Sequence, residues 1–324
     1  MVCKLGKEGA SGSGSCQNER MHTGDWKSAL RAEFIDVRDC VNVNSQVRER
    51  LETGELVRLS SGVAVPASII NGLPRYQRQW ARSFCVGMGA RAAVVTGRAA
   101  AHLLGMWTVN APMPEVRLLA KHPPPKPKQQ PGVRYVRAPL RPDEVVHGQH
   151  MNTTTPYRTF LEIAREAGFV HALVAADWLL YSGTMVPAQL EHMMCINPRF
   201  HGIGAARRAV SCATLGPESA PESYARAILL DAGFRNVLPN VWIEKTRYRV
   251  DLLLEDVLII EIDGRVKYEG GGVDTADVLL REKRRADTLR NLGYELIRFS
   301  PNELARDPTA FLSTVHSALN RARR

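Results

Sequence analysis

The apolar positions of this chain change rhythm along its length, and each change predicts an element. Residues 26–34, with Trp26, Leu30 and Phe34, suit a helix. Asp36 is placed to cap a short second helix over 37–41, and Asn42-Val43-Asn44 reads as a turn. Residues 45–51 are helical again, with Val47 and Leu51 on one face and Gly54 as the stop. Two short runs, 55–59 and 63–65, flank the turn Ser60-Ser61-Gly62 as a small hairpin. A helix-turn-helix followed by a hairpin is the outline of a winged helix. In that outline the third helix enters the major groove and offers Asn44, Ser45, Gln46, Arg48 and Glu49 to base edges, while Arg58 near the wing meets phosphate. Winged helices also serve as protein–protein modules, in which case the same residues form an ordinary solvated face.

The middle of the chain mixes both periods. Residues 75–82 read as a basic helix, 92–95, 116–120 and 133–136 as strands, and 97–105 as a small-residue helix built for close packing. His102 lies within it and reads as a core or surface histidine rather than a catalyst. Pro123-Pro124-Pro125-Lys126-Pro127-Lys128 reads as an extended basic surface loop. Thr153-Thr154-Thr155-Pro156 starts a long helix, with Pro156 in its first turn, that runs through Phe160, Leu161, Ile163, Ala164, Ala172, Leu173, Ala175, Ala176 and Leu179. Its Arg158 and Asp177 are expected to pair with local backbone or with each other. Gly202-Ile203-Gly204 lacks the full pattern of a phosphate-binding loop. A short helix over 205–210 and a linker over 216–221 follow.

A helix then starts at Glu222 and stops at Gly233. Beyond it, 248–254 and 257–264 are two apolar, β-branched runs joined by a polar break, the pattern of a β-hairpin. The hairpin carries Asp251 in its first strand and Glu261 and Asp263 at the end of its second. Side chains two apart on a strand share a face, so Glu261 and Asp263 point the same way. Asp251 joins them only across an odd-length loop such as Glu255-Asp256-Val257, or across a bulge; an even loop sends it to the opposite side. Desolvating several carboxylates together is costly, and a hard divalent cation such as Mg²⁺ relieves that cost. Lys267, just past Gly264, could orient a water or neutralise developing charge. Glu222 sits in the first turn of its helix, where the dipole alone favours a carboxylate; the sharper reading makes it a fourth acid facing the hairpin. A charged helix over 278–290 and a strand over 294–299 complete a small α/β domain with a mixed sheet. Lys283, Arg284 and Arg285 on that helix either line a phosphate track or form a solvated face.

Composition narrows the partners. A net charge of +10 and a pI near 9.5 favour a polyanion, nucleic acid before an anionic membrane surface. Each apolar run is cut by charge, Gly or Pro before membrane-spanning length. The six cysteines are scattered without a CxxC pair, which argues against structural zinc and a disulfide scaffold and for reduced thiols in a cytoplasm. Residues 1–23 are rich in Gly, Ser and charge and lack the apolar core of a signal peptide.

Several blocks carry resemblances. Pro221-Glu222-Ser223, Arg249-Val250-Asp251, Glu261-Ile262-Asp263-Gly264-Arg265-Val266-Lys267-Tyr268, Glu282-Lys283-Arg284-Arg285-Ala286-Asp287 and Gly293-Tyr294-Glu295-Leu296-Ile297-Arg298-Phe299 together resemble the Vsr-like branch of the PD-(D/E)XK nuclease superfamily, often labelled DUF559. The resemblance implies that Glu222, Asp251 and Glu261 are the metal-binding acids of a Mg²⁺- or Mn²⁺-dependent DNA endonuclease. The chain departs from the pattern at the usual lysine of the Glu-x-Lys element, where Asp263 stands, and Lys267 is the candidate substitute. Earlier blocks, 56–65, 96–105 and Thr155-Pro156-Tyr157-Arg158-Thr159, are similar to AbiEi-type regulators, antitoxins of an abortive-infection toxin–antitoxin system. That similarity implies operator binding through the winged helix, and a cognate toxin as a possible partner.

The expected fold is therefore a multidomain α+β chain. It has a disordered segment (1–24), a winged helix (25–72), a central mixed α/β domain (73–212) and a PD-(D/E)XK-like α/β domain (213–324). The expected site comprises Glu222, Asp251, Glu261, Asp263 and Lys267, acting on double-stranded DNA. The competing expectation is a DNA-binding repressor or antitoxin whose nuclease-like domain only binds.

Overall fold

A computed structural model describes residues 25–38, 45–90, 92–109, 111–196, 200–263 and 275–323. Its architecture is α+β, with three sheets and twelve α-helices among the described residues. The chain divides into two compact units, 1–73 and 74–324.

The first unit contains α1 (Asp25–Ala32), β1 (Ile35–Asp36), α2 (Ser45–Glu52), β2 (Leu56–Ser60), β3 (Val63–Pro66) and α3 (Ala67–Gly72). Its three strands run antiparallel in the order β1-β3-β2. Val37, Val47, Leu56 and Ala64 form its core, with Ile35 and Leu51 packed against them. Val47 and Leu51 thus face inward at helical spacing, and Gly54 leaves the helix with φ 76°. Two expectations need correction. The first helix stops at Ala32 rather than reaching Phe34, because Ile35 and Asp36 pair with Ala64 and Val63 as a third strand. Asp36 caps no helix either: its carboxylate accepts from the Arg38 backbone N–H at 3.0 Å and from Arg38 Nε at 3.1 Å. Val37 and Arg38 are not helical, and the rest of the expected second helix, 39–41, lies outside the described residues, as does Asn44.

The second unit holds two sheets. The first has five strands in the order β6-β5-β4-β8-β7. They are β4 (Val94–Val95), β5 (Val116–Leu119), β6 (Val133–Val136), β7 (Val145–His147) and β8 (Asn152–Thr154). The last two were not foreseen, since three residues are too few to show alternation. Val95, Val116, Leu118 and Val133 build a core with Val86, Ala99 and Ala100 of α4 (Arg75–Gly89) and α5 (Gly97–Leu104). The Pro-rich loop is not extended throughout; Lys126–Lys128 makes one 3₁₀ turn.

Helix α6 (Pro156–Tyr181) starts where Thr155 accepts from the Arg158 N–H, and Pro156 occupies its first turn. At Gly168 the backbone leaves helical geometry (φ 74°, ψ −165°), so α6 is two helical pieces across a kink. It packs with α7 (Pro187–Ile196) and α8 (Ile203–Cys212) through a core including Phe160, Leu173, Leu179 and Leu190. Arg158 and Asp177 do not pair with each other. Arg158 lies between Glu144 and Glu162, at 3.0 and 2.9 Å. Asp177 is fully buried and accepts from the Thr214 N–H (2.9 Å), Ser223 Oγ (2.6 Å) and Arg226 Nη1 (3.3 Å). The expected 212/213 boundary therefore runs through a single compact unit.

The last sheet has the order β12-β11-β10-β9, antiparallel except for the parallel β11–β12 pair. Its strands are β9 (Val237–Trp242), β10 (Arg249–Leu254), β11 (Leu258–Ile262) and β12 (Glu295–Phe299). One face packs on α9 (Ala220–Asp231), α11 (Pro301–Arg306) and α12 (Pro308–Ala322) through Tyr224, Leu229, Leu252, Leu254, Leu258, Ile260, Leu304 and Phe311. On the other face Leu253 and Ile259 meet Leu289 of α10 (Thr275–Asn291). The sheet is mixed as expected; β9 and the two closing helices were not anticipated.

Candidate active site

The site grows from the β10–β11 hairpin. Leu252 pairs with Ile260, Leu253 with Ile259 and Leu254 with Leu258, so the connection is the three residues Glu255-Asp256-Val257. Glu255 and Asp256 both take positive φ (53° and 58°), and the Val257 N–H donates to Leu254 O. The loop is odd in length. The same register carried one residue further sets Asp251 across from Glu261, and Asp251 Oδ2 accepts from the Ile262 N–H at 2.8 Å.

Burial sets the electrostatics. Asp251 is half-buried, and its carboxyl is pushed up to about 6, first by desolvation, then by the charges of Glu222, Glu261 and Asp263. Glu261 is 2% exposed and is also raised by burial, against the pull of two arginines. Those arginines come from the flanking elements. Arg298, opposite Glu261 in the parallel β12 register, donates from Nε to Oε2 at 2.9 Å. Arg285 of α10 brings Nη2 to 2.5 Å from Oε1, yet not at a hydrogen-bonding angle, so Oε1 is a buried oxygen that accepts no hydrogen bond. Glu282 bridges the same pair, 2.8 Å from Arg298 Nη2 and 3.9 Å from Arg285 Nη1.

The other expected acids lie at the rim. Glu222 occupies the third position of α9 and closes its N-terminus: Ser219 Oγ donates to Oε1 (2.7 Å), and the Glu218 N–H donates to Oε2 (2.9 Å). Asn240 of β9 donates to the same Oε2 at 3.1 Å. Glu222 is thus both a cap and a charge felt by Asp251. Asp263 is exposed, with Oδ2 3.9 Å from Arg298 Nε. Arg249 holds Glu218 by donating from Nη1 and Nη2 to its two carboxylate oxygens, each at 2.7 Å. Lys267 lies outside the described residues.

The four acids are gathered in electrostatic reach, but not as a ready ligand cage. Among the described residues no three His, Cys, Asp or Glu side chains are grouped to hold one ion. Two facing carboxylates, Asp251 raised by desolvation and then by its like-charged neighbours, are donors of the kind a hard cation takes, while Arg285 and Arg298 stand against the two oxygens of Glu261. Arg285 is turned inward onto Glu261 and the Arg249 carbonyl (2.9 Å). Lys283 and Arg284 are exposed beside it. In the first unit Gln46 and Arg48 are exposed on α2, which also carries the Ser45 backbone; exposed Arg58 donates from Nη1 to Ser61 O at 3.2 Å. Arg298 and Asn240 were not foreseen as site residues, since only strand register brings them to Glu261 and Glu222.

No helix among the described residues is long and apolar enough to cross a membrane. No family model matches the sequence. The chain is similar to two uncharacterized proteins of Mycobacterium tuberculosis, MT2308 of strain CDC 1551 / Oshkosh and Rv2248 of strain H37Rv, each 27% identical over 175 residues, 52% of this chain. The match spans 62% of the length of each of these relatives.

Proposed function

We propose that the chain is a DNA-binding protein that carries a metal-dependent endonuclease-like domain and cleaves phosphodiester bonds of double-stranded DNA. The observation that carries this reading is Asp251, held beside Glu222, Glu261 and Asp263 and pushed up to about 6. Mutually repelling carboxylates on a buried strand pair have a simple physical use in receiving a cation. Asp251 and Glu261 would hold Mg²⁺ or Mn²⁺, which supplies a nucleophilic water near neutral pH and stabilises charge on the phosphate. Glu222 adds negative potential from the rim, and exposed Lys283 and Arg284 offer the approaching backbone two cations. On this reading 25–72 acts as a winged helix, with Gln46, Arg48 and Arg58 toward DNA, 213–324 is the Vsr-like domain, and the protein works in the cytoplasm.

The test is cleavage of plasmid and oligonucleotide DNA with Mg²⁺ or Mn²⁺, beside Asp251→Asn and Glu261→Ala. Nicking lost in both folded variants supports the enzyme; no nicking by the wild type under either metal sinks it.

A second reading is favoured by one contact set. Arg285 and Arg298 already neutralise Glu261, and Asp263 stands where a lysine is usual. The chain is then an AbiEi-type repressor or antitoxin whose nuclease-like domain binds without cutting, with a cognate toxin as partner.

A further inference from the structure

The five-stranded sheet carries a cavity that the reading above does not use. The ladder sets Leu119 beside Val94, Val94 beside Asn152, and Asn152 beside His147, so four neighbouring strands each contribute one residue to a single row. Val95 and Leu118, one position away, point into the core; alternation puts Val94 and Leu119 on the opposite face. Over that row lies a cavity of about 600 Å³, within the range of small-molecule sites, roughly 300–1,000 Å³.

Its chemistry is one-sided. Lys121 and Arg137, just past the ends of β5 and β6, supply two exposed cations at its wall. Neither is paired with a carboxylate among the described residues, and no Asp or Glu lines the cavity. The floor is apolar: half-buried Val94 and Val145 face the cavity, and Leu119 lies beneath them fully buried. At the far end His147 Nδ1 and Asn152 Oδ1 lie 3.0 Å apart, so each fixes the other. That leaves the Asn152 amide nitrogen and His147 Nε2 without a protein partner among the described residues. Two free cations call for an anion, an apolar floor for a flat body, and an amide beside an imidazole for the polar edge of a heterocycle. We propose that this cavity binds a nucleoside 5′-phosphate, its phosphate on Lys121 and Arg137, its base over Val94 and Val145 with an edge on Asn152 and His147. Free nucleotide and the phosphorylated end of a strand present the same chemistry.

Calorimetric titration of the full chain separates the sources. The probes are AMP, adenosine, inorganic phosphate, and a short oligonucleotide with or without a 5′-phosphate. AMP is expected to bind more tightly than adenosine or phosphate, and affinity to fall about ten-fold or more in Lys121→Gln/Arg137→Gln. Both residues are exposed, so the variant should fold as the wild type does, checked by circular dichroism. Asn152→Ala, the second variant, should weaken AMP while leaving inorganic phosphate unchanged. Binding of the 5′-phosphorylated strand but not AMP assigns the site to strand ends and supports the shared chemistry. Inorganic phosphate binding as well as AMP overturns the proposal, as does AMP affinity unchanged in the double variant, or no binding of any phosphorylated probe at millimolar concentration.

Discussion

Glu261 and Arg298 face each other across the parallel β11–β12 pair, joined Nε to Oε2 at 2.9 Å, with the carboxylate buried and the guanidinium partly open to solvent. Removing the cation leaves a buried charge with only Arg285 beside it. Arg298→Met is expected to destabilise the chain by about 2 kcal/mol, less than for a fully buried pair because Arg298 is partly solvated. A urea midpoint unchanged from wild type would mean that Arg285 alone compensates Glu261.

Asp251 has a pH signature of fixed sign. Its folded carboxyl titrates near 6, above the ordinary value of about 3.9, so between those limits the folded chain holds the extra proton. The raised carboxyl thus weakens the fold as pH rises from about 4 to 6, and that cost persists above 6. Asp251→Asn should unfold at a higher temperature than wild type at pH 7.5 and at nearly the same temperature at pH 4. Melting curves at both values check it; a variant less stable at pH 7.5 refutes the account in which burial, and then like charge, penalises the carboxylate.

Cation binding has a readout separate from cleavage. A divalent ion that binds only the folded site raises the melting temperature by mass action. Mn²⁺ should stabilise the wild type by more than Asp251→Asn or Glu261→Gln. The size expected is about 2–4 °C for each kcal/mol of binding linkage. Equal shifts in all three proteins would place the ion elsewhere.

DNA binding by the first unit should be strongly salt-dependent. Arg58 is exposed on β2 beside the hairpin turn, and a phosphate contact there releases about one counterion. Arg58→Ala should weaken binding across sequences and flatten the log K against log salt slope by about 1. A variant that loses discrimination between sequences but keeps the slope would mark Arg58 as a base reader instead.

Much of this was legible in the residues, and the rest was hidden for physical reasons. The hairpin was readable because Leu252, Leu254, Leu258 and Ile260 are a dense apolar run, and the odd loop that aligns Asp251 with Glu261 was among the stated options. Gly54 and Pro156 marked a helix end and a helix start because their backbone demands are local. Strands of two or three residues, such as Ile35–Asp36 and Val145–His147, carry no period of their own and exist only through partners. The arginines on Glu261 were hidden for the same reason. Arg298 looked like one more charge on a strand, and Arg285 like one more on a basic helix, until register turned both inward. Asp177 was placed on the right helix, but neither local backbone nor Arg158 proved to be its partner, since nothing local points from it to Ser223.

Asp177 also governs how the molecule can be dissected. Its carboxylate is held from Thr214, Ser223 and Arg226, and Val174 of the same helix is packed with Tyr224 and Leu229. A fragment cut just after Cys212 would strand an acid in an apolar wall on one side and bare the inner flank of α9 on the other. Residues 74–324 should therefore melt as one cooperative block with a single heat-absorption peak. Catalytic or binding assays on this unit call for the whole of 74–324 rather than 213–324 alone.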